Sequence, residues 1–143
     1  AKAKASAEAE ARFAQLEPMI KATVADFVAG KLKDKLLSTK SGLKYLVVEK
    51  GAGKAVEVGE SVQAHYYGCL NDGTMFDNSF QRGETLGFAV GMGQMIAGFD
   101  EGVQQINHGG KAYFFLPYQL AYGEEGTGPI PAKADLVFYV ELQ

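Results

Sequence analysis

His65-Tyr66-Tyr67-Gly68-Cys69-Leu70-Asn71-Asp72-Gly73-Thr74-Met75-Phe76-Asp77-Asn78-Ser79 is the stretch on which the reading of this chain turns. Asp72-Gly73 stands between two strand-like runs, and an Asp-Gly pair there predicts a hairpin, because both central turn positions favour φ > 0. The hairpin brings Tyr66 near Phe76 and Asp77. What results is a mostly apolar wall carrying one acid. Such a wall suits a small apolar group with a single polar handle, and suits metal binding, phosphate binding or covalent chemistry poorly.

Outward from the hairpin the pattern is strand-like over 43–48, 61–70, 74–80, 84–90, 111–117 and 135–142. Residues 95–106 alone in this region have helical spacing, with Ile96, Phe99 and Val103 on one side. Strand runs around one short helix predict an α+β fold, a sheet closing over that helix. Upstream, residues 1–37 read as helix. Phe13, Leu16, Ile20, Val24 and Phe27 form a stripe, continued by Val28, Leu32 and Leu36. Pro18 either opens a second helix or kinks a single one. The stripe needs a cover: the β domain, a second copy, or a preceding domain. Residues 38–42, Ser-Thr-Lys-Ser-Gly, read as a linker. The domain reading is therefore a helical extension with its linker over 1–40 and a β-rich domain over 41–143.

Composition bounds the function. The 143 residues are 47% hydrophobic and 22% charged, a globular balance. Net charge is −3; residues 1–37 hold seven Lys/Arg against five acids, and the remainder carries −5. Neither part is basic enough for nucleic acid, and no apolar run approaches a membrane span. One cysteine, Cys69, rules out an internal disulfide framework. Its place in a strand pattern makes it a packed thiol rather than a nucleophile. His65 and His108 show no metal-ligand spacing, so neither a metal nor a cofactor is expected. His65 alternates with Tyr66 and points to the opposite sheet face. The chain starts at Ala1 with no signal peptide visible, which fits a mature or trimmed product. A periplasmic or other extracytoplasmic setting is favoured slightly over a cytoplasmic one.

The hairpin sequence resembles the V-x-Y-x-G-x-L-x-D-G-x-x-F-D-S core of FKBP-type peptidyl-prolyl cis-trans isomerases, the macrolide-binding immunophilins. Further matches follow in order: Gln81-Arg82-Gly83, Phe88-Ala89-Val90-Gly91, Met95 to Val103, Gly110-Lys111-Ala112, Leu120-Ala121-Tyr122-Gly123, Ile130-Pro131 and Leu136 to Leu142. The resemblance implies a curved antiparallel sheet wrapped around a short helix, with a pocket between them. It implies rotation of X–Pro bonds in proline-containing polypeptides during folding, and macrolides as inhibitors. Carried over by position, Tyr66, Asp77, Phe99 and Tyr122 would act on the substrate. Phe76, Arg82, Leu86, Phe88, Met95, Ile96 and Phe138 would bind it, with Asp77 pairing with Arg82. The chain departs from the family in Phe99, where the floor is usually Trp, in Leu86 and Met95, and in a shorter loop over 123–131 carrying two acids. A non-catalytic peptide-binding or chaperone module with a degenerate pocket is the alternative. The extension loosely resembles that of the macrophage infectivity potentiator group, and implies either a homodimer contact or a connector to an upstream domain.

Overall fold

The computed structural model describes residues 2–81, 83–128 and 130–143, with side chains from residue 10 onward. In chain order it runs α1 (Lys2–Val28), β1 (Leu37–Ser38), β2 (Lys44–Glu49), β3 (Ser61–Leu70), β4 (Met75–Asn78), β5 (Leu86–Ala89), α2 (Ala97–Val103), β6 (Lys111–Leu116), a 3-10 turn (Tyr118–Leu120) and β7 (Leu136–Leu142). The seven strands make one sheet in the order β1-β2-β6-β7-β3-β4, with β5 also paired to β3. Every pairing is antiparallel. The architecture is the α+β sheet curved around a short helix that the strand pattern predicts.

Every residue of β7 is buried because both faces of the sheet are covered. Leu136, Phe138, Val140 and Leu142 join α2 in the inner core with Phe99, Val103 and Phe114. Val137 and Tyr139 point the other way, into a second core shared with Tyr67, Cys69, Tyr113 and Phe115. The cover on that outer face is α1. Leu16, Ile20 and Val24 are buried in the second core, and Phe13 and Phe27 pack at its edge. The Phe27 ring stacks on Phe115 with centroids 4.0 Å apart.

Polar contacts fix the register of this docking. The Tyr67 hydroxyl donates to Glu17 at 2.9 Å. Arg12 pairs with buried Glu141 at 2.5 Å, and the Tyr139 hydroxyl donates to the same Glu141 oxygen at 2.6 Å. Burial, reinforced by those carboxylate partners, raises the pKa of both tyrosines and keeps them as donors.

Three local expectations are corrected. The first helix ends at Val28 rather than near 37, and Pro18 lies inside that single helix rather than opening a second one. Proline weakens a helix interior, but the stripe on either side of Pro18 is seated on the sheet and holds the segment helical. The 38–42 segment is not a bare linker. Ser38 pairs with Lys44, and Thr39 donates to Glu101 of α2 at 2.7 Å. In the hairpin only Gly73 takes positive φ, at 91°. The turn closes through Gly73 N–H to the Leu70 carbonyl at 2.9 Å, while the Asp72 carboxylate accepts from Thr74 N–H at 2.8 Å. A four-residue connection thus replaces the two-residue turn.

Away from the hairpin, His108 joins three segments. Its Nδ1 lies 2.7 Å from the Gln143 carbonyl oxygen and its Nε2 2.6 Å from Glu60. Both neighbours are acceptors, so the ring bonds both only as the imidazolium. The Gln143 carbonyl and then Glu60 raise its pKa above 6.5. Glu60 is held below 4.5 by the Glu57 amide and then by His108, with Lys54 also facing it. The histidine contribution to stability is full below 6.5 and is lost as pH rises through the elevated native value; the Glu60 contribution is lost as pH falls below 4.5. The thermal midpoint is expected to fall as pH rises above 6.5, and His108→Gln to flatten that limb. A parent-like fall in the variant would remove His108 as its cause.

Candidate functional site

Pleating sends Tyr66 and Gly68 of β3 inward and Tyr67 and Cys69 outward. On β4 the same rule would throw Phe76 and Asp77 to opposite faces. A bulge prevents this: Gly68 pairs with Asp77 and Cys69 with Met75, leaving Phe76 as the extra residue. Both Phe76 and Asp77 consequently reach the inner face. Gly68 permits the approach, since a Cβ there would lie 2.7 Å from the Phe138 ring and 2.8 Å from Phe76. With glycine, those rings meet edge to face at 5.6 Å.

These residues enclose a cavity of about 150 Å³ lined by Tyr66, Phe76, Asp77, Leu86, Met95, Ile96, Phe99, Tyr122 and Phe138. Phe99, delivered by α2, is 0% exposed and forms a closed floor. Tyr66, Phe88, Phe114 and Phe138 stand around it, with centroids 6.1, 5.6, 6.2 and 5.3 Å away at steep angles. Edge-to-face sets of this kind add to simple area burial and hold ring orientation. The Tyr66 hydroxyl donates to Asp77 Oδ2. Tyr122 has its pKa raised by burial and then by the Asp77 charge, so its hydroxyl remains a donor at neutral pH.

Of the residues expected at the site, nine line this one cavity. Phe88 is not among them: it is buried behind Phe99 and props the floor. Arg82 lies outside the described residues. Gly68 and Phe114 were missed by the sequence reading; a glycine interrupting an apolar strand was the available signal for the first. A larger groove of about 640 Å³ runs between α1 and the 71–74 turn, but its lining sets Val24, Ala25 and Val28 against Asn71, Asp72 and Thr74 and brings no aromatic wall.

Chemically the cavity can grip an apolar ring and present a hydroxyl donor and one carboxylate. Cys69 is buried on the other face with its thiol pushed up to about 12 by burial first and Asp72 second, so it carries no thiolate at neutral pH. His65 and His108 are absent from the lining. Among the described residues no group of His, Cys, Asp and Glu is placed to hold a metal ion, and no helix is long and apolar enough to cross a membrane.

Residues 52–143 match the family described as FKBP-type peptidyl-prolyl cis-trans isomerase. A relative in Aeromonas hydrophila, the FKBP-type peptidyl-prolyl cis-trans isomerase FkpA, is 49% identical over 114 residues, covering 80% of this chain and 42% of the relative. FK506-binding protein 2 of Debaryomyces hansenii is 49% identical over 84 residues, 59% of this chain and 62% of that protein. The crystal structure of FkpA from Escherichia coli superposes with a TM-score of 0.74 at 36% identity, over 93% of this chain and 62% of that one. The chain thus spans roughly two fifths to three fifths of the length of these curated relatives.

Proposed function

Because the chain belongs to the FKBP-type peptidyl-prolyl cis-trans isomerase family, we propose that it accelerates rotation about X–Pro bonds in proline-containing polypeptides during folding. The observation that carries this is the aromatic cavity with a Tyr66–Asp77 pair and a Tyr122 donor, lacking any nucleophile–base pair in its lining. X–Pro rotation meets a barrier of about 18–20 kcal/mol and takes tens to hundreds of seconds unaided. Amide resonance places negative charge on oxygen and positive charge on nitrogen, and water favours that separation. An apolar enclosure favours the twisted form instead, so catalysis is differential binding of the transition state.

In this reading the prolyl ring rests on Phe99 between Phe76 and Phe138, with Leu86 and Met95 at the rim. Tyr122 donates to the substrate amide oxygen and the Ile96 backbone N–H to a neighbouring carbonyl. Asp77, held by Tyr66, orients the polar groups of the chain. Macrolide inhibitors would occupy the same cavity, less tightly than over a tryptophan floor. Residues 41–143 serve as the isomerase domain and 1–40 as its helical extension. Since α1 spends its apolar stripe on its own sheet, a homodimer contact or an upstream domain would have to use its other side.

One observation favours a second reading, a non-catalytic peptide-binding or chaperone module: the floor is closed and the cavity of about 150 Å³ lies below the roughly 300–1,000 Å³ of most ligand sites. A protease-coupled assay on an X–Pro peptide separates the two. Turnover well above the spontaneous rate is expected; a rate no faster than spontaneous would sink the enzyme reading.

A further inference from the structure

Along one edge of β3, β5 pairs with residues 61–64 and β4 with residues 67–69. Tyr66 falls in the gap between them. Backbone amides buried without partners are costly, so each must find one. Ser79, just past the end of β4, supplies both. Its N–H donates to the Tyr66 carbonyl at 2.9 Å, and its Oγ accepts from the Tyr66 N–H at 2.8 Å. Ser79 is 0% exposed. Its Oγ is also 2.8 Å from His65 Nδ1, and the His65 ring is kept there by stacking on Phe80 at 4.8 Å. With Oγ already accepting from the Tyr66 N–H, its hydrogen has two acceptors in reach: the Tyr66 carbonyl at 3.4 Å and, when it carries no proton, the nearer His65 Nδ1 at 2.8 Å.

We propose that Ser79, oriented by His65, is a positioning residue for the isomerase reaction: β7 holds one edge of β3 at Tyr66, and Ser79 holds the other edge, where neither β4 nor β5 reaches, and so fixes the Tyr66 hydroxyl that holds Asp77. The inference rests on the isomerase reading above. Asp77 lies two residues before Ser79 in the chain, so both ends of the Tyr66–Asp77 bond hang from one short segment. Loss of the hydroxyl lets Tyr66 shift against Asp77 while the aromatic floor stays in place. A small misplacement at a binding wall acts mainly on the transition state.

The test is kcat and KM on an X–Pro peptide for the parent, Ser79→Ala and Ser79→Thr, at a temperature where near-ultraviolet circular dichroism shows each folded. His108→Gln, distant from the cavity, serves as a control for general loss of stability. The expected result is a fall of about tenfold in kcat for Ser79→Ala, with Ser79→Thr and His108→Gln near the parent. A parent-like kcat in Ser79→Ala overturns the inference, as does Ser79→Thr falling as far as Ser79→Ala, or His108→Gln falling with it. A parent that turns over while Ser79→Ala is unaffected defeats this inference alone; a parent without turnover defeats the isomerase reading and this inference with it.

Discussion

Asp77→Ala is expected to lower kcat/KM on an X–Pro peptide by about ten- to hundredfold, the range for losing one well-placed polar group at a reacting centre. Asp77 is the carboxylate in the cavity lining, and it accepts from the Tyr66 hydroxyl. Truncation removes the handle that orients the substrate and releases Tyr66 to turn within the pocket. The rings around Phe99 do not depend on Asp77, and its side chain is only partly buried. The folded state should therefore lose no more than about 1–2 kcal/mol. Protease-coupled kinetics and a urea titration read the two quantities separately. Tyr122→Phe should cost severalfold through loss of one donor. Because the Tyr122 pKa lies above 10.0, that donor stays protonated and the parent rate should not decline between pH 7 and 9 on its account. Parent-like rates in both variants would move the site elsewhere.

Ile20→Asp is expected to destabilise the docked state by about 4 kcal/mol or more. Ile20 is 0% exposed in the outer core. Truncating a buried isoleucine costs about 2–5 kcal/mol, and an unpaired carboxylate adds a desolvation penalty. The substitution acts first on α1, which would lift from the sheet and uncover Tyr67, Cys69, Phe115 and Tyr139. Cys69 reports this directly. In the parent it is 0% exposed with its pKa at about 12, so a thiol reagent at neutral pH should react only through opening. In Ile20→Asp it should react promptly, and the exposed face should promote aggregation. A variant whose Cys69 stays as protected as the parent's would mean that α1 does not depend on this contact.

The chain's periodicities carried most of the architecture. Strand alternation in 61–70 and 136–142 and the stripe from Phe13 to Phe27 are local properties, legible because pleat and helix repeat are set by backbone geometry. The aromatic cavity was legible for a different reason: Tyr66, Phe76, Phe99, Tyr122 and Phe138, which line it, were carried over from the resemblance of their motifs to the FKBP family, while periodicity alone placed them only on strands and a helix. The helix stop was legible and was passed over: Gly30 takes φ 77° and closes a glycine cap, with Lys31 N–H donating to the Asp26 carbonyl at 2.9 Å and Gly30 N–H to that of Phe27 at 3.0 Å, although Leu32 and Leu36 carry the apolar spacing onward.

Three decisions belonged to the folded molecule. The cover for the stripe could have been the sheet, a second copy or another domain; it is the sheet, because Glu17 and Arg12 meet Tyr67 and Glu141 across it. Phe76 and Asp77 share a face only through the bulge opposite Gly68 and Cys69, and a bulge is a property of two paired strands rather than of either one. Phe88 has the residue type and strand setting of a pocket wall yet stands behind Phe99, because depth along the inner face depends on how α2 seats against the sheet. Local chain geometry chose the elements and their faces; packing between distant segments chose which side chains meet.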